Sequence, residues 1–271
     1  MRWAMLRGRE HQRIGSVELV AEESSAIALC RGGAAKTYSH TDPNEDAVLF
    51  ANGEGGSLIA VTDGHGGDWG AERALDSLLE GVAETWTTAA PACAEPAQWC
   101  EAAHAAIEDA NAAILAGAAE LGLPAAPTTL SMALLRPAEG LLLHASVGDS
   151  HVFRARGERV EDIGWAALRR SRCFYLGYPP ELGDREKARV ACEDLAGTRA
   201  LLLATDGVSE RGIGLPDPAA TIAQLLDSSA GRAAEQQPTE ACRGLVEAAL
   251  AAQRRQRAGD NVACAAWIRG L

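Results

Sequence analysis

Five short apolar runs in this chain each meet an acidic residue at one end, and that pattern limits the possible folds more than any other feature. In LIAVTDGHGGDWGAERA, the run Leu58 to Val61 delivers Asp63, Gly64 and His65 onto a turn continued by Gly66 and Gly67, after which a helical pattern begins. DPNEDAVLF sets Glu45 and Asp46 just before a second run. ALLLATDGVSER repeats the design at Asp206 and Gly207, with Glu210 one helical turn later. AGDNVACAAWI puts Asp260 and Asn261 ahead of the last run, and LLLHASVGDSHVFRA places Asp149 between two strand-like segments. Rigid strands fix the side chains at their ends, and the adjoining loops expose them. Taken singly, each site also reads as a solvated turn or a helix cap. Taken together, the carboxylates would repel one another unless cations neutralise them, and an oxygen-only set favours magnesium or manganese over zinc or copper. Gly64 lets a backbone carbonyl approach closely, and His65 can trade a proton near neutral pH.

In their order along the chain, NED, VTDGHGG, VGDS, ATDG and GDN resemble the motif set of the metal-dependent protein serine/threonine phosphatases of type 2C. The likeness spans roughly residues 36–268. It implies an α+β fold, a four-layer α-β-β-α sandwich of two antiparallel sheets flanked by helices. Two metal ions, Mg2+ or Mn2+, would lie in a cleft at one end, and a metal-bridging water would attack the phosphorus of phosphoserine or phosphothreonine. Carried over by position, Asp63 resembles the carboxylate that bridges both ions, and Gly64 would lend its carbonyl to one of them. Glu45 would bind on that side, in part through water, while Asp206 and Asp260 would hold the other ion. Asp46 would orient bound water from behind the ligands. His65 resembles the general acid that protonates the leaving oxygen. Asp149 and Glu210 match positions that serve a third, weaker ion in some relatives, and Asn261 stands with this outer group.

The chain departs from that pattern at the phosphate. Many relatives carry an arginine a few residues before the NED-like acids; here the stretch reads YSHTDPNED, with His40 and Thr41. The GDS motif is usually followed by arginine and here by His151. A bidentate guanidinium suits a phosphate better than one imidazole does. Between Gly164 and Arg189, where the family has a variable flap, Arg169, Arg170 and Arg172 cluster in an otherwise acidic protein. They read either as a solvated basic loop or as the source of the missing phosphate contact.

Ligands scattered from Glu45 to Asp260 must converge, so the reading is one phosphatase domain over residues 1–271, with a flap at 164–189. Hydrophobic residues make up 47% of the chain and aromatics 4%, so Ala, Leu and Val must fill most of the core. Lysine occurs only at Lys36 and Lys187, and the Ala, Gly and Arg bias resembles a GC-rich bacterial coding sequence. A formal net charge of −12 repels nucleic acid and anionic membrane. No apolar run approaches the roughly 18 residues of a membrane span, and MRWAML is too short for a signal-peptide core. The seven cysteines, Cys30, Cys93, Cys100, Cys173, Cys192, Cys242 and Cys264, form no CxxC pair and read as small buried residues of a reducing cytoplasm.

Apolar spacing predicts strands at Val17–Val20, Ala26–Leu29, Ala47–Phe50, Ser57–Thr62, Thr129–Leu135, Leu141–Val147, His151–Ala155, Ala200–Ala204 and Val262–Ile268. It predicts helices at Asp68–Thr87, Pro96–Leu121, Pro218–Leu226 and Thr239–Gln253. The expected activity is metal-dependent hydrolysis of phosphoserine or phosphothreonine in proteins, opposite a serine/threonine kinase. Alternatives are a small-molecule phosphomonoesterase on the same site, or a phosphatase-like binding module with little turnover.

Overall fold

Several strands of this chain are apolar along most of their length because both of their faces are covered. The computed structural model describes residues 1–36, 44–123, 126–164, 174–178 and 188–270. Its strands are β1 (Arg2–Arg7), β2 (Glu18–Glu22), β3 (Ser25–Cys30), β4 (Asp46–Asn52), β5 (Ser57–Asp63), β6 (Leu130–Arg136), β7 (Leu141–Val147), β8 (His151–Arg156), β9 (Arg159–Asp162), β10 (Arg189–Asp194), β11 (Thr198–Ala204) and β12 (Val262–Ile268). Among the described residues they form two six-stranded antiparallel sheets, ordered β1-β4-β5-β6-β7-β10 and β2-β3-β12-β11-β8-β9. Among the described residues the α-helices are α1 (Trp69–Leu78), α2 (Glu84–Thr87), α3 (Pro96–Leu121), α4 (Pro218–Ser229) and α5 (Gln237–Gln256).

The packing separates into three apolar layers among the described residues. On β5, Leu58 and Ala60 face α1 and α3, while Ile59 and Val61 face the second sheet. On β12, Val262, Cys264 and Ala266 face α4 and α5, while Ala263, Ala265 and Trp267 face the first sheet. This is the four-layer α-β-β-α sandwich, and it explains why the strands read as continuous apolar runs, not as an alternation. Sequence punctuation sets the helix ends. Pro96 opens α3 and Gly122 closes it in the left-handed conformation at φ 69°. The Asp217 carboxylate accepts from the Ala220 N–H at 2.9 Å to cap α4.

Three strands lie outside the sequence expectation: β1, β9 and β10. Each occupies a sheet edge and is partly exposed; β9 and β10 carry charge at half or more of their positions, while the short WAML run of β1 is flanked by arginines. β1 takes up most of MRWAML. The helix expected over Asp68–Thr87 is interrupted by a π-helical turn at Leu79–Ala83 between α1 and α2. No disulfide joins the described cysteines, and no described helix is long and apolar enough to cross a membrane.

The two sheets are tied at one edge by an ionic cluster. Arg154 on β8 donates to Glu161 on β9 at 2.6 Å and also to Glu193 on β10 of the other sheet, which the His144 imidazole contacts at 3.4 Å. The His144 hydrogen bond, helped by Arg154 and opposed by burial, lowers the Glu193 pKa to about 2. A depressed carboxylate contributes stability that is present above its unfolded pKa, about 4.3, and is lost as pH falls through the folded value. Because Glu193 is partly solvated, Glu193→Gln is expected to destabilise by about 1 kcal/mol at neutral pH. The difference between variant and parent should shrink below about pH 4. Thermal melts across that range check both statements.

Candidate metal centre

The strand register brings the acids together. Antiparallel pairing of β4 with β5 sets Asp46 opposite Asp63 at one end of the first sheet. In the second sheet, Asp206 follows β11 and Asp260 precedes its neighbour β12, so both reach the same end. Gly148, at φ 91°, turns the chain between β7 and β8 and presents Asp149 there too. The carboxylates of Asp63, Asp149 and Asp206 each offer an oxygen within 4.8 Å of the others. A cavity of about 240 Å³ is lined by Glu45, Asp63, Gly64, His65, Asp206, Glu210, Asp260 and also by Lys36 and Ile213.

Backbone contacts fix each of these groups. The Asp63 N–H donates to Thr129 Oγ1 at 2.9 Å, and its carbonyl accepts from the Thr128 hydroxyl at 2.9 Å. Gly64 donates its N–H to the Glu45 carbonyl at 3.2 Å. A Cβ at Gly64 would meet the Gly67 carbonyl oxygen at 2.5 Å, so no larger residue fits without moving the chain. The His65 N–H donates to the Pro127 carbonyl at 2.9 Å, and its Nδ1 lies 3.6 Å from Asp63 Oδ1.

Two acids are held from behind. Asp46, 1% exposed, accepts from the Thr205 hydroxyl at 2.8 Å. That hydroxyl in turn accepts from the Ala263 N–H at 2.9 Å. Asn261 acts as a brace: its Oδ1 accepts from the Glu45 N–H at 3.0 Å and its Nδ2 donates to the Arg31 carbonyl at 3.0 Å.

Four residues to which the motif reading gives no role complete this region; Thr205 lies within ATDG and the other three lie outside every motif. Thr205 holds Asp46 as described. Gln253 on α5 donates to the carbonyls of Gly207 and Asp260, both at 3.1 Å, while accepting from the Gly33 N–H at 2.7 Å. Tyr175 donates to Asp149 Oδ2 at 3.3 Å and sets its ring 4.4 Å from that of His65. Lys36 reaches Glu45 Oε2 at 2.9 Å and Asp260 Oδ1 at 3.5 Å. Only the rarity of lysine in this chain could have drawn notice to it in the sequence. His151 faces other partners: Nδ1 meets Asp162 at 2.8 Å and Nε2 meets Ser209 Oγ at 2.6 Å. His40, Arg169, Arg170 and Arg172 lie outside the described residues.

The electrostatics of the cluster fit a divalent cation. Burial, followed by the charges of Asp46, Asp260 and Asp149, pushes the Asp63 pKa well above the usual carboxylate range. Burial and the charges of Asp63, Asp260 and Asp149 do the same to Asp206. Asp46 is also raised, chiefly by burial and against its hydrogen bond from Thr205. Glu45 Oε1 and Asp149 Oδ1 are buried and have no hydrogen-bond partner, which is unusual in a native fold. Carboxylate and carbonyl oxygens with open lone pairs are what Mg2+ and Mn2+ take as ligands.

Known proteins share this arrangement of strands and helices. The family described as Protein phosphatase 2C matches residues 33–252. A crystal structure of a bacterial serine phosphatase is 19% identical, with TM-score 0.67 over 92% of this chain and 99% of that one. The Mycobacterium tuberculosis serine/threonine phosphatase PstP/Ppp is 18% identical, with TM-score 0.61 over 94% of this chain and 99% of that one. The catalytic domain of serine threonine protein phosphatase PstP, in complex with two manganese ions, is 19% identical, with TM-score 0.60 over 93% and 99%. No curated protein matches the chain significantly.

The raised carboxylates set a pH dependence for the metal-free protein. A group whose folded pKa is raised stabilises the fold fully below its unfolded pKa, about 3.9 for aspartate. It loses that contribution as pH rises through the folded value. A cation that binds the ionised cluster offsets the loss. Mn2+ at about 100 times its dissociation constant is expected to raise the melting temperature at pH 7 by about 5–10 °C. The gain should be smaller at pH 5, where protons compete for the same oxygens. Equal melting temperatures in Mn2+ and in chelator at pH 7 would contradict the assignment.

Proposed function

We propose that this chain, which belongs to the protein phosphatase 2C family, hydrolyses phosphoserine and phosphothreonine in proteins using two Mg2+ or Mn2+ ions. Protein phosphatase activity follows from the family; the residue specificity, the ions and the roles below are our reading. The observation that carries it is the convergence of Glu45, Asp63, Asp206 and Asp260 from both sheets onto one cavity, with Asp149 against Asp63 and Asp206. The solved structure of PstP with two manganese ions supports the choice of metal.

In this reading Asp63 would serve both ions, the Gly64 carbonyl and Glu45 would hold one, and Asp206 and Asp260 would hold the other. Asp149 and Glu210 would take a third. When bound, the ions would supply an activated water near neutral pH and offset the charge on the phosphoryl oxygens. Asp46, anchored by Thr205, keeps an acceptor for water behind Asp63. Phosphoryl transfer depends mainly on positioning and charge neutralisation, and the backbone clamps on Asp63 and Gly64 provide the positioning. His65 holds a proton for the departing serine or threonine oxygen; Nδ1 lies toward Asp63, which leaves Nε2 to deliver it. Contact with the phosphate is assigned to Arg169, Arg170 or Arg172, or to His40, and alanine at each tests it through KM. The substrates would be phosphoproteins produced by a serine/threonine kinase.

Asp63→Asn is expected to reduce turnover to near the detection limit and to weaken both ions, because a carboxylate shared by two cations needs its full charge. Full activity in excess chelator would overturn the two-ion mechanism. His65→Ala should slow phosphopeptide hydrolysis by about 10²–10⁴-fold, the usual range for a general acid. Hydrolysis of para-nitrophenyl phosphate, whose leaving group departs without a proton, should slow much less. Equal losses on both substrates would make His65 a positioning residue instead. A preference for small phosphate esters over a phosphopeptide panel would replace the protein-directed reading.

A further inference from the structure

The side chain of Lys36, one of only two lysines in the chain, is 7% exposed and lies inside the acidic cavity. Its Nζ sits 2.9 Å from Glu45 Oε2 and 3.5 Å from Asp260 Oδ1. These two acids come from different sheets, and the ammonium spans the gap between them. The backbone fixes this placement. Lys36 forms a parallel bridge with Gly259, the residue just before Asp260. The Gly259 N–H donates to the Ala35 carbonyl at 3.1 Å. A Cβ on Gly259 would lie 1.8 Å from the Ala34 carbonyl oxygen, so only glycine admits this approach. The Lys36 side chain is thus aimed between two of the groups assigned to the ions.

We propose that Lys36 is a resident counter-cation that divalent metal must displace. This inference rests on the two-ion reading. An ion bound to Glu45 or to Asp260 takes its oxygens at about 2.0–2.1 Å, and an ammonium hydrogen-bonded to the same oxygens cannot stay beside it without strong repulsion. The metal-free protein gains neutralisation of two buried acids from Lys36. The metal-loaded protein gives up that contact, so Lys36 lowers the affinity of the site it occupies and sets the metal concentration at which the enzyme loads. The effect falls mainly on the Glu45 and Asp260 oxygens that the ammonium meets.

Calorimetric titration of the metal-free protein with Mn2+ tests this. Lys36→Met removes the charge and keeps the chain length, and is expected to tighten at least one Mn2+ site tenfold or more while lowering the metal-free melting temperature. Lys36→Arg keeps the charge and should leave the affinity within about threefold of the parent. Lys36→Gln, which retains a polar group for both acids, takes the place of Lys36→Met if that variant does not fold without metal. Unchanged or weaker Mn2+ binding in the neutral variants overturns the proposal. So does a raised KM for phosphopeptide with unchanged Mn2+ affinity, which would make Lys36 a substrate contact. A parent protein that binds no Mn2+ would instead remove the two-ion reading itself, so the two failures are distinguishable.

Discussion

Repulsion among Asp63, Asp149 and Asp206 is the interaction on which the rest of this molecule depends. Three carboxylates with oxygens inside 4.8 Å of one another oppose the fold that holds them, and burial adds to the cost by excluding water. The sandwich withstands it because the acids sit on elements that packing has already fixed. Beneath them lie three apolar layers, and the braces are neutral hydroxyls and amides: Thr129 on the Asp63 N–H, Thr205 on Asp46, Asn261 and Gln253 on the loop that carries Asp260. None of these braces adds counter-charge. They hold the acids in place and leave neutralisation to cations.

The buried strands are legible in the sequence because they combine apolar runs with sharp boundaries. β4, β5, β11 and β12 are covered on both faces, so nearly every residue is apolar and the acidic ends stand out. β1, β9 and β10 are not legible, because an edge strand needs only one neighbour and tolerates charge. RVED on β9 is mostly polar, and it pairs because β8 offers an open edge. The π-helical turn after α1 has only a weak local signal, Gly81 within Leu79–Ala83, since a single glycine lowers helix propensity without ending the helix.

At the site, the residues bound to a motif are legible and those that reach in from elsewhere are not. Asp63, Gly64 and His65 announce themselves by following one strand. Gln253 lies in the last turn of a helix, and its three contacts join segments at positions 33, 207 and 260. Tyr175 sits apart from every motif, and its place between His65 and Asp149 exists only in three dimensions. Lys36 is placed by a glycine more than two hundred positions away. Local spacing carries no information about such partners, because the chain that brings them together passes through most of the fold first.

Because Asp46 stands opposite Asp63 across β4 and β5, the lengths of these two strands are frozen. Adding or removing one residue within either would turn every later side chain to the opposite face, burying acids among leucines and presenting leucines to the cavity. Change over evolutionary time is therefore confined to substitution within the strands and to growth or loss beyond their ends. Descendants of such a chain can diversify what they recognise through their connecting segments while the acidic end of the sandwich keeps one shape.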